Sequence, residues 1–224
     1  MKNLTLIIPA KFEKESLPNV LSELNDYNLN IIIILEKTDY ETIKSINDFD
    51  CQIIYQTNKG YGDALILGIT SVITDYFCIF NADGSFNPNE IEGMINLLDK
   101  NNGDLVFASR YEKDSSSDDD TIVTFIGNYI FTFLGKILFK LPITDILYTF
   151  VLGKTNKVKK LGIKSKDFTF CVELPIKAHK NNLKIFSISS HERSRIAGKK
   201  KVNAFKDGFL ILKKMLTMFV KNRY

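Results

Sequence analysis

Asn81-Ala82-Asp83-Gly84-Ser85 follows an apolar run, and Pro88 stands just beyond it. Acidic residues two apart at a strand's end are the arrangement that holds a divalent cation on a phosphate, and here the first of the two is an amide. Asp83 alone remains as a hard oxygen ligand for Mg²⁺ or Mn²⁺, enough for an ion that arrives with diphosphate oxygens and water filling its other positions. As a purely structural feature the same five residues make an Asx turn relaxed by Gly84. A second candidate, Asn58-Lys59-Gly60-Tyr61-Gly62-Asp63-Ala64, lies between a strand-like and a helix-like run. It lacks the third glycine and the first-strand position of a dinucleotide fingerprint, which argues against a dehydrogenase. Its glycines let backbone come close to a nucleotide or to the turn beside it. A third, Arg193, Arg195 and Lys199-Lys200-Lys201, sets five cations in nine residues. Arginine forks suit phosphate oxygens, and lysines act as point charges.

These groups need a scaffold. Residues 4–9, 30–36, 51–57, 76–82 and 104–109 are short runs, β-branched or aromatic, apolar on both faces, as strands buried between two helical layers are. Helical stretches separate them, the one after Pro88 with Asn87 as its expected N-cap. Alternation at this spacing predicts an α/β domain with a mainly parallel sheet and helices on both faces. Its ligands should sit at the carboxyl ends of the strands, where Pro9 to Glu13, Glu36, Asn58 to Gly62, Asn81 to Ser85 and Ser109 to Tyr111 all fall. Residues 112–121 are polar and acidic and read as a mobile loop, with Asp118, Asp119 and Asp120 solvated rather than ligating. Beyond them are a strand near 150–153, a short helix near 154–161, the helix Phe170–Lys180 and a strand near 183–189.

The chain has 224 residues, 45% hydrophobic and 25% charged, with a net charge of +4. That composition excludes global disorder, and the charge is too mild to imply nucleic acid. Cys51, Cys78 and Cys171 lie in or beside apolar runs without metal spacing and read as reduced thiols. The apolar core of the first ten residues is too short for a signal peptide, and no stretch has about 20 uncharged apolar residues, so no transmembrane span is expected. Two segments do carry amphipathic helical spacing: 121–141, with Phe125, Tyr129, Phe133, Lys136 and Lys140, and 202–224, with Phe205, Phe209, Leu212, Leu216 and Phe219 among basic residues. Such helices lie in a headgroup layer or pack on the sheet or a partner chain. His179 and His191 are given no role.

Taken in order, Pro9 with Glu13, an acid after the second strand, NKGYGDA, NADGS, ASRY, LPITD, FCVEL and HERSR…GKKK, the sequence resembles the family 2 glycosyltransferases. Within them it is most similar to the polyprenyl-phosphate sugar synthases of the dolichol-phosphate mannose synthase kind. The resemblance runs from Leu4 to about Lys201 and implies a GT-A domain over 1–201, a Rossmann-like sheet, with 202–224 as a basic membrane-interface helix. It implies that Pro9, Ala10 and Glu13 border the nucleoside, and that Glu36 stands where the family has a base-contacting aspartate. Asn58, Gly60, Gly62, Asn81 and Ala82 join the donor site, and Asp83 holds Mg²⁺ or Mn²⁺. Arg110 and Asp145 line the donor and acceptor pocket, Glu173 is an acid on the acceptor side, and Arg193, Arg195 and Lys199 close over phosphates. The first loop departs from the family's P-x-Y-N-E at Lys11 and Phe12, and LEKT replaces D-D-G-S after strand two, so the base end is remodelled.

The implied activity is inverting transfer from a nucleotide sugar to a polyprenyl phosphate, on the cytoplasmic face of a membrane, with a transmembrane partner or a second copy as possible company. Such an acceptor is already an anion and needs no base. A family 2 enzyme acting on a sugar hydroxyl would need one, with Glu173 or Asp145 first in line. The remaining alternative is a catalytically weak module that binds nucleotide sugar or a membrane surface.

Overall fold

The computed structural model describes residues 3–198 and 201–220. Seven strands form one sheet: β1 (Leu4–Pro9), β2 (Asn30–Glu36), β3 (Gln52–Gln56), β4 (Tyr76–Ile79), β5 (Leu105–Ser109), β7 (Val151–Lys154) and β8 (Ile185–Ser189), in the order β3-β2-β1-β4-β7-β5-β8. Only β7 runs antiparallel, wedged between β4 and β5. Both faces are covered, and the period-two strand geometry sorts the side chains between them. In β2, Ile32 and Ile34 enter one core while Ile33 and Leu35 enter the other.

Helices α1 (Leu17–Leu24), α2 (Tyr40–Ser45) and α4 (Glu90–Lys100) lie on the second of these faces. On the first lie α3 (Tyr61–Ser71), α5 (Ile122–Phe139), α6 (Thr155–Lys159), α7 (Phe170–Lys180) and α8 (Ala204–Val220). The chain leaves β1 toward β2 on one side and reaches β4 on the other, so the sheet changes direction between β1 and β4. A crevice opens at such a switch point, beyond the strands' carboxyl ends. Residues 9–13 and 81–85 are the two loops that border it.

The sequence reading differs from the structure in three places. The N-cap of α4 is Asn89, and Asn87 instead accepts a hydrogen bond from the Asn89 N–H, an Asx turn that begins two residues earlier. The segment 112–121 is not simply solvated: β6 (Ser116–Ser117) pairs with β9 (His191–Glu192), and Asp118 N–H donates to the Glu192 carbonyl. Helix α5 has the length and composition of a membrane-crossing helix, with a mean hydropathy of 1.7, although it falls short of the twenty residues sought in the sequence. Thr121 caps it in a reciprocal box with Thr124, and Lys140 ends it in a left-handed conformation. Asn128, Thr132, Gly135 and Phe139 pack inward, while Ile122, Tyr129 and Ile137 face out. Helix α8 lies against it and buries Ile211 and Met215.

Candidate active site

A cavity of about 830 Å³ occupies the switch-point crevice. Pro9, Ala10, Glu13, Glu36, Gly60, Asn81, Ala82, Asp83, Arg110 and Arg195 all line it. The loop after β4 orients the Asp83 side chain through its own neighbours, while the Asp83 carbonyl accepts from Ile196 N–H at 2.8 Å. Asp83 Oδ1 accepts from Ser85 N–H at 3.1 Å and Ser85 Oγ at 2.7 Å, and Asn81 Nδ2 donates to the same hydroxyl at 3.2 Å. Gly84 takes φ +83, and Ile196 packs where its Cβ would be. This leaves Asp83 Oδ2 facing the cavity, 3.5 Å from Nη1 of Arg195. The first loop is pinned as well. Phe12 has φ +55, costly for an aromatic residue, and its N–H is held by the buried carboxylate of Asp39. Beside it Lys11 Nζ meets Glu36 Oε1 at 2.9 Å, so this end of the cavity presents a donor next to an acceptor.

The three arginines and the distal carboxylates have separate jobs. Arg110 forks onto Asp145, Nε to Oδ2 at 2.7 Å and Nη2 to Oδ1 at 3.1 Å, and its Nη1 reaches Glu192 at 3.2 Å. Burial opposes its charge most, but Asp145 together with Glu192 outweighs burial and holds the guanidinium well above its usual range. Asp145 is fully buried, does not line the cavity, and serves to hold Arg110. Arg193 does not line the cavity: its Nη1 and Nη2 are taken by Glu23 and the Phe86 carbonyl. Arg195 does line the cavity, with Nη2 3.0 Å from Asp119 Oδ2. Lys199 lies outside the described residues, while Lys201 Nζ reaches Glu13 Oε1 at 3.3 Å.

Glu173 is not at the cavity. It accepts from the N–H groups of Lys164 and Ser165 and pairs with Lys177 and Lys214, tying α7 and α8 to the 163–169 loop. Burial alone would raise its pKa, but these donors pull it down to about 2, which leaves no proton affinity for base work near neutrality. Asn58 and Gly62 also fall outside the lining. A Cβ on Gly60 or Gly62 would stand 2.1 Å from the Lys166 carbonyl or 2.2 Å from that of Ser165. What these glycines admit is the 165–167 backbone. That loop carries Phe168 into the cavity wall, where it stacks on Tyr61 at 5.0 Å.

The sequence reading missed Asp119, Asp120, Glu192 and Asn128 as site residues, all on the wall. Tyr111 Oη donates to Asp120, and Asn128 Nδ2 donates to Tyr111 Oη at 2.9 Å, which fixes the start of α5 against the site. The signal available was an acid-rich run directly before a Thr-x-x-Thr helix start.

The model of glycosyl transferase family 2 matches residues 5–162. The chain belongs to that family. An uncharacterized glycosyltransferase of Mycobacterium tuberculosis is 24% identical over 207 residues, spanning 92% of this chain and 93% of its own. The UDP-N-acetylglucosamine–dolichyl-phosphate N-acetylglucosaminyltransferase of Methanococcus voltae is 26% identical over 208 residues, 82% and 83% of the two chains. Among solved structures, the glucosyl-3-phosphoglycerate synthase of M. tuberculosis with Mn²⁺, UDP and phosphoglyceric acid superposes with a TM-score of 0.73 at 13% identity, over 97% of this chain and 78% of that one. The protein is thus a glycosyltransferase with a GT-A-like fold. Among its described residues no group of three or more His, Cys, Asp or Glu side chains gathers as a metal cage. The donor set at Asp83 is one carboxylate with one oxygen turned to the cavity, and a guanidinium stands opposite in the place of a cation. That set fits an ion whose remaining ligands come from a diphosphate and water.

Proposed function

We propose that this glycosyltransferase moves a sugar from a nucleoside diphosphate to the phosphate of a polyprenyl lipid at the cytoplasmic face of a membrane. One observation carries the reading: the cavity has two chemically distinct ends. Around Asn81, Asp83, Glu13, Arg195 and Lys201 it is polar and charged. From there it runs between α5 and α8 along Val123, Ile126, Ile130, Phe131, Phe205 and Ile211. A nucleotide sugar has no apolar part to cover those six side chains, whereas an amphiphile with a phosphate head and a hydrocarbon tail covers both ends. The groove's walls are also the helices with the largest apolar exposure. Ile122, Tyr129, Phe133 and Ile137 on α5, and Phe205, Phe209 and Val220 on α8, are exposed, as are Lys136, Lys140, Lys206 and Lys213 around them. An apolar surface fringed by lysines suits an anionic membrane interface. The relationship to a transferase named for dolichyl phosphate supports the same acceptor class.

In this reading a lipid phosphate oxygen attacks the anomeric carbon, the bond from that carbon to the donor's diphosphate breaks, and configuration inverts. No proton has to be removed from the acceptor. Asp83 would hold Mg²⁺ or Mn²⁺, which supplies neutralisation of the leaving diphosphate, and Arg195 adds a fixed positive charge beside it. A sugar-hydroxyl acceptor is less well served: of the bases expected for it, Asp145 is locked to Arg110 and Glu173 is tied up away from the cavity. The test is transfer from radiolabelled UDP- and GDP-sugars, with Mn²⁺, to a polyprenyl phosphate in detergent, to phosphoglycerate, or to a sugar alcohol. Product on the lipid is expected. Product on phosphoglycerate or on the hydroxyl acceptor without lipid product overturns the proposal.

A further inference from the structure

Arg195 is the one arginine of the three whose partner sits on a wholly polar surface segment. Arg110 is buried against Asp145 and Glu192, and Arg193 is forked onto Glu23 and a carbonyl. Arg195, by contrast, has Nε 3.4 Å from Asp119 Oδ1 and Nη2 3.0 Å from Asp119 Oδ2, a side-on carboxylate fork at the cavity wall. Asp119 belongs to the run Glu112–Thr121, which contains no apolar residue and so has no hydrophobic contact to hold it down. Polar contacts hold it, among them the two-residue pairing of β6 with β9, the Ser117 Oγ bond to Glu192, Asp118 against His191 at 3.2 Å, Thr144 Oγ1 on Glu112 at 2.9 Å and Tyr111 Oη on Asp120. The same guanidinium lies 3.5 Å from Asp83, where the diphosphate of a nucleotide sugar belongs in the reading above.

We propose that Asp119 is an internal mimic of the donor diphosphate: it holds Arg195 in this structure and must be displaced from it when a diphosphate binds. The inference rests on reading the Asp83 end of the cavity as the diphosphate site. A carboxylate offers the guanidinium two oxygens in one plane, as a phosphate does, but with less charge, so an incoming diphosphate wins at a cost to its own affinity. Release has a further consequence. Two residues on, Thr121 caps α5, and Asp120 accepts from Thr124 on its first turn, so the mimic is anchored to the helix that lines the apolar end. Asp119 thereby links occupancy of the polar end to the mouth of the groove.

The test is calorimetric titration of the full chain with UDP, GDP and inorganic pyrophosphate, each with Mg²⁺. Asp119→Asn keeps the shape and removes the competing charge. Because a partly exposed charged pair is lost from the unliganded side, the probe that binds best should bind about three- to tenfold tighter. Asp118→Asn makes the same change of net charge one residue away, on a side chain that faces His191 rather than Arg195, and should leave affinity within about twofold. Unchanged or weaker binding to Asp119→Asn overturns the mimic, and so does equal tightening by Asp118→Asn, which would mark a general charge effect. If the probes bind wild type and Asp119→Asn equally, only the mimic fails. If none binds either protein, the diphosphate site fails with it.

Discussion

Glu173 offers a direct contest between a chemical and a structural role. Its side chain is 2% exposed, and each carboxylate oxygen takes one backbone N–H and one ammonium: Lys164 N and Lys177 on Oε1, Ser165 N and Lys214 on Oε2. Those donors hold its pKa at about 2. Against an ordinary glutamate near 4.3, that shift corresponds to about 3 kcal/mol of folding stability. A pKa depressed in the folded state contributes fully above the unfolded value, and the contribution drains away as pH falls toward the folded one. The window therefore runs from about pH 4.3 down to about 2, and more than half of the roughly 3 kcal/mol is gone by pH 3. Glu173→Gln retains the volume and one acceptor oxygen but leaves Lys177 and Lys214 without a counter-charge. Urea unfolding followed by circular dichroism should show the variant about 2–3 kcal/mol less stable at pH 7, with the gap from wild type narrowing below about pH 4.3, to roughly half by pH 3 and closing toward pH 2. A loss under about 1 kcal/mol at pH 7, or a gap independent of pH, refutes the anchoring role. A collapse of sugar transfer at unchanged stability would return Glu173 to the acceptor side.

Asp83→Ala should lower kcat/KM for transfer by about 100-fold or more, since it removes the one carboxylate placed for a cation at the leaving group, with circular dichroism unchanged. Transfer within tenfold of wild type, metal present, would remove Asp83 from that role. Phe133→Ser with Phe209→Ser, both on exposed faces of α5 and α8, should cut partition into anionic vesicles by roughly tenfold or more, at two large apolar side chains of ~1.5–3 kcal/mol each when fully buried, while thermal stability holds. Unaltered flotation would exclude that face as the lipid contact.

The sheet was legible because its strands announce themselves. Leu4-Thr5-Leu6-Ile7-Ile8 and Asn30–Leu35 are apolar on both faces, which only a two-sided core explains. The direction and place of β7 were not legible: Val151–Lys154 reads as a strand, but its position between β4 and β5 depends on partners about 75 and 45 residues away, with no local signature. The same division runs through the site. Asp83 could be found because its turn is built from its own neighbours, Ser85 and Gly84. Arg110 was found, but the reason for Asp145 was not, since a buried carboxylate that orients an arginine and one that lines a pocket have the same letter. Asp119 was read as solvated because acidic runs usually are, and the residue that changes this, Arg195, is 76 positions away. Gly60 and Gly62 were correctly read as points of close approach, yet what approaches is the backbone of 165–167, which a sequence cannot distinguish from a ligand.

The amide at Asn81 now has a physical place. Around the polar end the carboxylates of Glu13, Asp83 and Asp119 already stand against Arg195 and Lys201. An aspartate at 81 would add another negative charge beside Asp83, on the proposed function at the diphosphate's place, and only a more tightly held cation would offset it. Asparagine avoids that charge and still works locally, its Nδ2 steadying the Ser85 hydroxyl that in turn donates to Asp83. With Arg195 supplying a permanent cation across from Asp83, the ion has less charge to neutralise. A site built this way should take up metal with the nucleotide rather than ahead of it, because the diphosphate brings the oxygens that the protein no longer provides.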